Sequence, residues 1–412
     1  MTTRPLLSRP WPAALLIGAA AQALFLHRLA VPHTPVFDEV HYVPAARTLW
    51  SLAHPANIEH PLLGKALIGL GIALFGDDSF GWRIMASLAG TATVLGLFAC
   101  GTLLFREVRA GVMTALFALA GFTLFIQARI AMLDGFMAAL VVGALAAMLW
   151  AMRGEGASVG RRWLGGAVLL GLAAGAKWVA APYAALAGLG FALARAPGRW
   201  PGLTLWGAGW RLALGFVDAY LATFAPAFFY AREPLTLATL LPFQLEMLRL
   251  QTQVLPHHPY QSAWWSWPLD IRPIWYLYEP VDGAQRGVLM IGNPAVMWGG
   301  LVAVAACLWG WVRHRSAALG GVAGLWLCGW GMWALIPKSL GFFYYYYLPS
   351  LWLPLAIVAA FQRLGAGRWR YWDEAYLALC GGLFVYFYPI LSAAELPGPA
   401  AFRTWMWFST WP

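Results

Sequence analysis

Residues 81–104 read GWRIMASLAGTATVLGLFACGTLL, a run whose single charge, Arg83, sits near one end. At about 1.5 Å of rise per residue, such a run crosses the ~30 Å hydrocarbon layer of a bilayer as a helix, the form that bonds every backbone polar group within the segment. The rest of the 412-residue chain repeats the pattern. Apolar residues make up 61 % and charged residues 11 %, and mean hydropathy is +0.64, a balance foreign to soluble domains of this length. The reading is an all-α polytopic membrane protein of about eleven transmembrane helices, at 11–30, 81–104, 111–127, 130–152, 163–178, 179–195, 209–230, 294–312, 317–337, 342–361 and 374–391. Only Lys177-Trp178 and Pro182 separate the fifth span from the sixth.

The arginines orient the chain. With the N-terminus inside, each inner connection receives at least two of them, from Arg4 and Arg9 at the start to Arg363, Arg368 and Arg370 near the end, as the positive-inside rule asks. The formal charge of +10 is mostly this inner-face arginine, and anionic headgroups account for it without nucleic acid. Lys65, Lys177 and Lys338 then fall outside, against the rule, so each is a candidate for function. Cys100, Cys307, Cys328 and Cys380 lie inside expected spans and read as buried thiols rather than a disulfide framework or zinc site. The first apolar segment lacks a small-residue cleavage site followed by a soluble domain and reads as a retained span.

Two long outer connections remain, 31–80 and 231–293, within what is expected to be one transmembrane domain over 1–412 with no separate soluble domain. Apolar spacing predicts interfacial helices over 39–50 and 61–75. The first connection holds Phe37-Asp38-Glu39 and Glu59-His60-Pro61-Leu62-Leu63-Gly64-Lys65; the second holds the aromatic run from His257 to Leu269. Carboxylates are costly near lipid, so the acidic pair points to chemistry at the membrane face.

Each candidate has a plainer alternative. Asp38 is either a base for a hydroxyl group or a cap on the helix that follows it. Arg83 either grips a phosphate with its planar fork or snorkels to the interface. Lys65, Arg129, Lys177 and Lys338 are substrate cations or partners in ion pairs, Arg129 with Asp134 in particular. His60 and His258 suit hydrogen bonding in a polar cavity better than metal binding, for which no ligand spacing exists. Trp264, Trp265 and Trp267 form either an interface belt or a sugar platform.

Taken in order, Phe-Asp-Glu-Val-His-Tyr, His-Pro-Leu-Leu-Gly-Lys, Trp82-Arg83, Ala128-Arg129-Ile130-Ala131-Met132-Leu133-Asp134, Lys177-Trp178, His258-Pro259-Tyr260 through Trp267-Pro268-Leu269, Gly292-Asn293-Pro294, and Lys338 before Phe343-Tyr344-Tyr345-Tyr346-Tyr347-Leu348-Pro349 resemble the protein O-mannosyltransferases. The resemblance runs from about residue 36 to about residue 350. It implies a membrane-embedded glycosyltransferase fold of the C type and transfer of mannose from a polyprenyl-phosphate donor to Ser or Thr hydroxyls. The departures are Pro61-Leu62 where the family has two prolines, a tyrosine for the late histidine, and no β-trefoil domain in the second connection. These mark a compact bacterial-type member.

The resemblance implies that Asp38 is the base with Glu39 in support, and that Arg83 serves the donor phosphate; Arg129 and Lys338 are further candidates for that phosphate. His60, Lys65, Asp134, Lys177, His258, Tyr260 and Trp264 complete the candidate substrate site. The chemistry is expected to be inverting, because a retaining route needs a nucleophile and a second carboxyl about 5 Å apart, which adjacent residues do not readily supply. Neither cofactor nor metal is expected; the lipid-linked sugar phosphate is a substrate. The expected partners are membrane lipid, a polyprenyl-phosphate-mannose donor and a Ser/Thr-containing protein acceptor, at the outer face of a bacterial inner membrane. Two alternatives stay open: a related enzyme moving aminoarabinose or a hexose to lipid A or an envelope glycan, and a lipid-linked sugar transporter. A transporter predicts midplane charges, whereas here the charges gather at one face.

Overall fold

The structure, a computed structural model, describes residues 9–196, 198–365 and 371–412. Arg4, Arg368 and Arg370 lie outside the described residues. Each expected span coincides with helix. Seven described helices are long and apolar enough to cross a membrane: Ser79–Phe105, Leu133–Ala151, Leu205–Phe229, Ala295–His314, Ala317–Ala334, Phe343–Arg363 and Trp372–Leu391. The other four expected spans are shorter or charged for local reasons. Pro10–Leu26 and Trp178–Ala194 are short, Gly121 in extended backbone splits the third span, and Ala157–Ala176 carries Arg161 and Arg162.

The chain forms two compact units, each assembled from separated segments: one holds the residues up to Phe37, Leu97–Arg129 and Val254–Pro412, the other Asp38–Gly96 and Ile130–Gln253. In the second unit, both interfacial helices appear, at Glu39–Trp50 and Leu63–Phe75. Gly76 ends the latter at φ 103°, a conformation open to glycine. Asp78 then accepts the amides of Phe80 and Gly81 at 3.0 and 2.9 Å, capping the long helix that begins at Ser79. Between the two, Asp77 takes a bidentate grip from Arg47 and the Trp82 indole, all at 2.8 Å, which holds its carboxyl below the usual range.

The helix Ala157–Ala176 lies between Leu133–Ala151 and Leu205–Ala222. Small residues permit the approach: a Cβ on Gly171 would come within 2.2 Å of the Phe216 carbonyl oxygen. The break expected at Lys177 is present, with that residue extended (φ −157°) and a 3₁₀ turn at Trp178–Ala180 before the next helix. Segment 231–293, read from sequence as connection, is largely regular. It contributes the helix Leu237–Gln251, opened by a Thr236 capping box, to the second unit and a β-hairpin to the first.

That hairpin is an addition to the helical reading. Strands β1 (Ile274–Val281) and β2 (Ala284–Met290) pair antiparallel, with Val281 opposite Ala284. Asp282 and Gly283 make the two-residue loop at φ 52° and 75°, the geometry that an Asp-Gly pair favours. Segment 393–412 is stitched to this region: Leu396 N donates to Gln285 O at 2.9 Å, Arg286 to Ala393 O at 2.9 Å, and Tyr278 Oη to Pro399 O at 2.9 Å. Arg272 donates to Thr410 O at 2.7 Å, and the Trp411 indole to Asp270 O at 2.6 Å. Asp270 itself is wholly buried in left-handed backbone (φ 54°). Its Oδ1 accepts the Gly292 amide at 3.0 Å, its Oδ2 has no partner among the described residues, and burial pushes the carboxyl up to about 8. Cys100, Cys307 and Cys380 are buried as expected; Cys328 is exposed, a correction, because it lies off the buried face that Leu319, Val322, Ala323, Trp326 and Gly329 form on Ala317–Gly331.

Candidate active site

The acidic pair opens the helix Glu39–Trp50, and successive residues of a helix point about 100° apart. Glu39 turns inward. Wholly buried, it accepts Arg83 Nε (2.9 Å) and the Ala131 amide (2.7 Å) on Oε1 and Arg83 Nη2 (2.8 Å) on Oε2. Arg83 is 1 % exposed. The phosphate reading of Arg83 is therefore corrected, and so is the snorkelling one. Its fork is spent on Glu39, in a buried pair whose disruption costs about 3–5 kcal/mol.

Asp38 turns the other way and stays half-buried. Its side chain makes no capping bond, so the capping alternative fails. Instead, Oδ2 accepts the Tyr42 hydroxyl at 3.3 Å. Burial raises the carboxyl above its ordinary value; Lys177 opposes that, Asp134 adds to it, and His41 and Tyr42 lower it. The preceding residue, Phe37, occupies left-handed backbone (φ 52°) and stacks on Tyr276 with centroids 4.2 Å apart. An aromatic residue in that conformation is costly and is found where surroundings hold it.

Lys177 and Asp134, both candidates, form a nearly buried ion pair at 2.7 Å. Asp134 is thus the partner of Lys177 rather than of Arg129, and the pair sets a cation and an anion beside Asp38. His60 approaches the Tyr42 hydroxyl at 3.3 Å through Nε2 and Gln251 at 3.2 Å through Nδ1, as the hydrogen-bonding reading expects. Lys65 is corrected. Its ammonium donates to the carbonyls of Ala56, Asn57 and His60 at 3.0, 2.8 and 2.9 Å, fastening the loop instead of facing a substrate. Burial lowers it to about 7, against the pull of Glu59.

The first unit holds the remaining candidates. Arg129 is a second correction among the phosphate ligands: it donates to the carbonyls of Phe25, His27 and Arg28 and so finishes the helix Pro10–Leu26. Lys338 is exposed in the turn before Phe342. His258 is exposed, accepts the Tyr260 amide on Nδ1 at 3.2 Å and sets its ring against Phe342. Tyr260 carries the Arg272 guanidinium over its ring at 5.1 Å, and Trp264 packs on Trp330 with centroids 5.0 Å apart. Trp267 belongs to neither alternative, being 2 % exposed and bonded to Ser262.

Two site residues escaped the sequence reading. Tyr42 stands four residues after Asp38, the helical spacing at which side chains meet, and that signal was available. Gln251 gave none; it lies nearly two hundred residues from the histidine it touches.

A family model described as dolichyl-phosphate-mannose-protein mannosyltransferase matches residues 59–224, and one described as the C-terminal four-transmembrane region of protein-O-mannosyltransferase matches 236–411. The chain belongs to the protein O-mannosyltransferase family. A polyprenol-phosphate-mannose–protein mannosyltransferase of Mycobacterium tuberculosis is 27 % identical over 479 residues, covering 96 % of this chain and 90 % of the relative. One subunit of the Saccharomyces cerevisiae Pmt1-Pmt2 complex bound to the sugar donor superposes with TM-score 0.77 at 12 % identity, covering 100 % and 93 % of the two chains; this shows a common fold. An undecaprenyl phosphate-aminoarabinose transferase of Edwardsiella ictaluri is 31 % identical over 158 residues, 36 % of this chain and 28 % of that one. This protein O-mannosyltransferase is accordingly an integral membrane glycosyltransferase of the C-type fold.

Proposed function

We propose that this family member transfers a mannosyl residue from a polyprenyl-phosphate donor to a Ser or Thr hydroxyl of a protein at the outer face of a bacterial inner membrane. The observation that carries the reading is Asp38: a carboxylate that caps nothing, stays partly open, and stands beside the Lys177 cation. In the reaction, the Asp38 carboxylate takes the proton of the acceptor hydroxyl as its oxygen bonds to the anomeric carbon. The bond from that carbon to the phosphate oxygen breaks on the opposite face, inverting the centre, and the lipid phosphate leaves with the electron pair. A cation stabilises that charge. Arg83 and Arg129 are engaged by Glu39 and by the end of the helix Pro10–Leu26. Glu39 supports the base indirectly by anchoring the helix that presents it.

The partial match to the aminoarabinose transferase supports a second reading, in which another lipid-linked sugar is moved to lipid A or an envelope glycan. One experiment separates the two. Purified protein in lipid is given polyprenyl-phosphate mannose or undecaprenyl-phosphate aminoarabinose, each with a Ser/Thr peptide library or with lipid A, and products are read by mass spectrometry. A hexose mass on peptide from the mannose donor alone is the expected result; aminoarabinose on lipid A overturns it.

A further inference from the structure

Asp38, Tyr42, His60 and Gln251 form a continuous line: Oδ2 to the hydroxyl at 3.3 Å, the hydroxyl to Nε2 at 3.3 Å, and Nδ1 to the Gln251 amide nitrogen at 3.2 Å. The line has a direction. Gln251 Nε2 also donates to the Glu59 carbonyl, which fixes the amide with its nitrogen toward His60. An amide nitrogen only donates, so Nδ1 accepts and the neutral imidazole carries its hydrogen on Nε2. That hydrogen goes to the Tyr42 oxygen, and the tyrosine proton is left for Asp38. Each bond polarises the next, and Tyr42, at 3 % exposure, is shielded from competing water.

Resting on the reading of Asp38 as the base, we propose that Tyr42 and His60, held by Gln251, are positioning residues that keep Asp38 ionised by a one-way line of donors on Oδ2 and leave Oδ1 for the acceptor hydroxyl. The line opposes the burial that raises Asp38. Its other charged or titratable neighbours are Lys177, Asp134 and His41, while Glu59 and Lys65 stand at the backbone of His60. Protonation of His60 puts a hydrogen on Nδ1, facing the Gln251 donor, and breaks the line at its far end.

The test uses a hydrophobic carbodiimide, which attacks protonated carboxyls, on the purified full-length protein in lipid. Asp38 labelling is followed against pH by peptide mass spectrometry, with the pH–rate profile of mannosyl transfer measured alongside. Tyr42→Phe should raise the labelling midpoint by about one pH unit, and the acid limb of kcat should move with it while both KM values hold. His60→Leu should give a smaller rise, and His60→Gln, which keeps an N–H toward Tyr42, should recover most of it. An unmoved midpoint in Tyr42→Phe, or equal midpoints for the two His60 variants, overturns the proposal; the His60 pair carries the test if Tyr42→Phe does not accumulate. Labelling needs no substrate. A shifted midpoint together with full transfer by Asp38→Asn leaves the donor line standing and removes Asp38 as the base.

Discussion

Asp38 and Glu39 are neighbours in the chain with opposite surroundings. Glu39 is sealed away and receives three short bonds, two of them from one guanidinium, so its charge is matched and its rotamer held. Asp38 receives one long bond from a tyrosine and stands near a lysine already paired with another carboxylate. A fully matched carboxylate is a poor base because its lone pairs are occupied. The contrast separates the group that holds the site from the group that can act in it, and it predicts that the same chemical change has different consequences one residue apart.

The largest effect should come from Asp38→Asn, which keeps shape and removes the base. Turnover in the transfer assay should fall by about 10²-fold or more at unchanged protein level. Activity within a few-fold of wild type would sink the division of roles. Glu39→Gln should act instead on the fold, leaving the Arg83 charge buried and unmatched at a cost of about 3–5 kcal/mol. The measure is thermal unfolding in detergent, and Glu39→Gln combined with Arg83→Gln should be more stable than Glu39→Gln alone.

Lys177→Gln sharpens the comparison. It removes the cation that holds Asp38 down and leaves the Asp134 carboxylate beside it, so the Asp38 pKa rises further. The base is then lost at a higher pH as the solution is acidified. Transfer should approach wild type at alkaline pH and fall severalfold below it near pH 6; a parallel loss at every pH would assign Lys177 to substrate binding.

Asp270 provides the smallest effect, as a third kind of carboxylate, buried with a single amide for company. Its folded value of about 8 lies above the ordinary 3.8. The native state therefore binds more protons than the unfolded one between those values, and this group's contribution to stability falls as pH rises through that window. Asp270→Asn should flatten the fall in Tm between pH 5 and 8. An unchanged slope would show that the pH dependence arises elsewhere.

Much of this is legible in the sequence. Spans such as Ser79–Phe105 declare themselves by composition, and the helix Glu39–Trp50 matches its expected 39–50 because its amphipathic spacing is local. The break at Lys177 was readable from one charge and one proline. The roles of the arginines were not. Arg83 and Arg129 carry the same residue type that a phosphate needs, and only the fold shows that one has a buried carboxylate and the other a helix end within reach. Lys65 misled for the same reason, since three carbonyls curled around an ammonium leave no trace in the sequence. The hairpin was missed although Asp282-Gly283 announces it, because an aromatic, proline-rich stretch at a membrane surface invites the reading of an interfacial loop.

The stitching of segment 393–412 to the hairpin sets an order of events during synthesis. Gln285, Arg286 and Tyr278 are made about a hundred residues before the carbonyls and amide that satisfy them. At roughly 5–20 residues per second, the hairpin waits several seconds for its last partners. Meanwhile the helices between, Ala295–His314 through Trp372–Leu391, have to enter the membrane. Completion of this surface is thus gated by segment 393–412, and a chain halted just before it would hold the helices up to Trp372–Leu391 with these groups of the hairpin still unmatched.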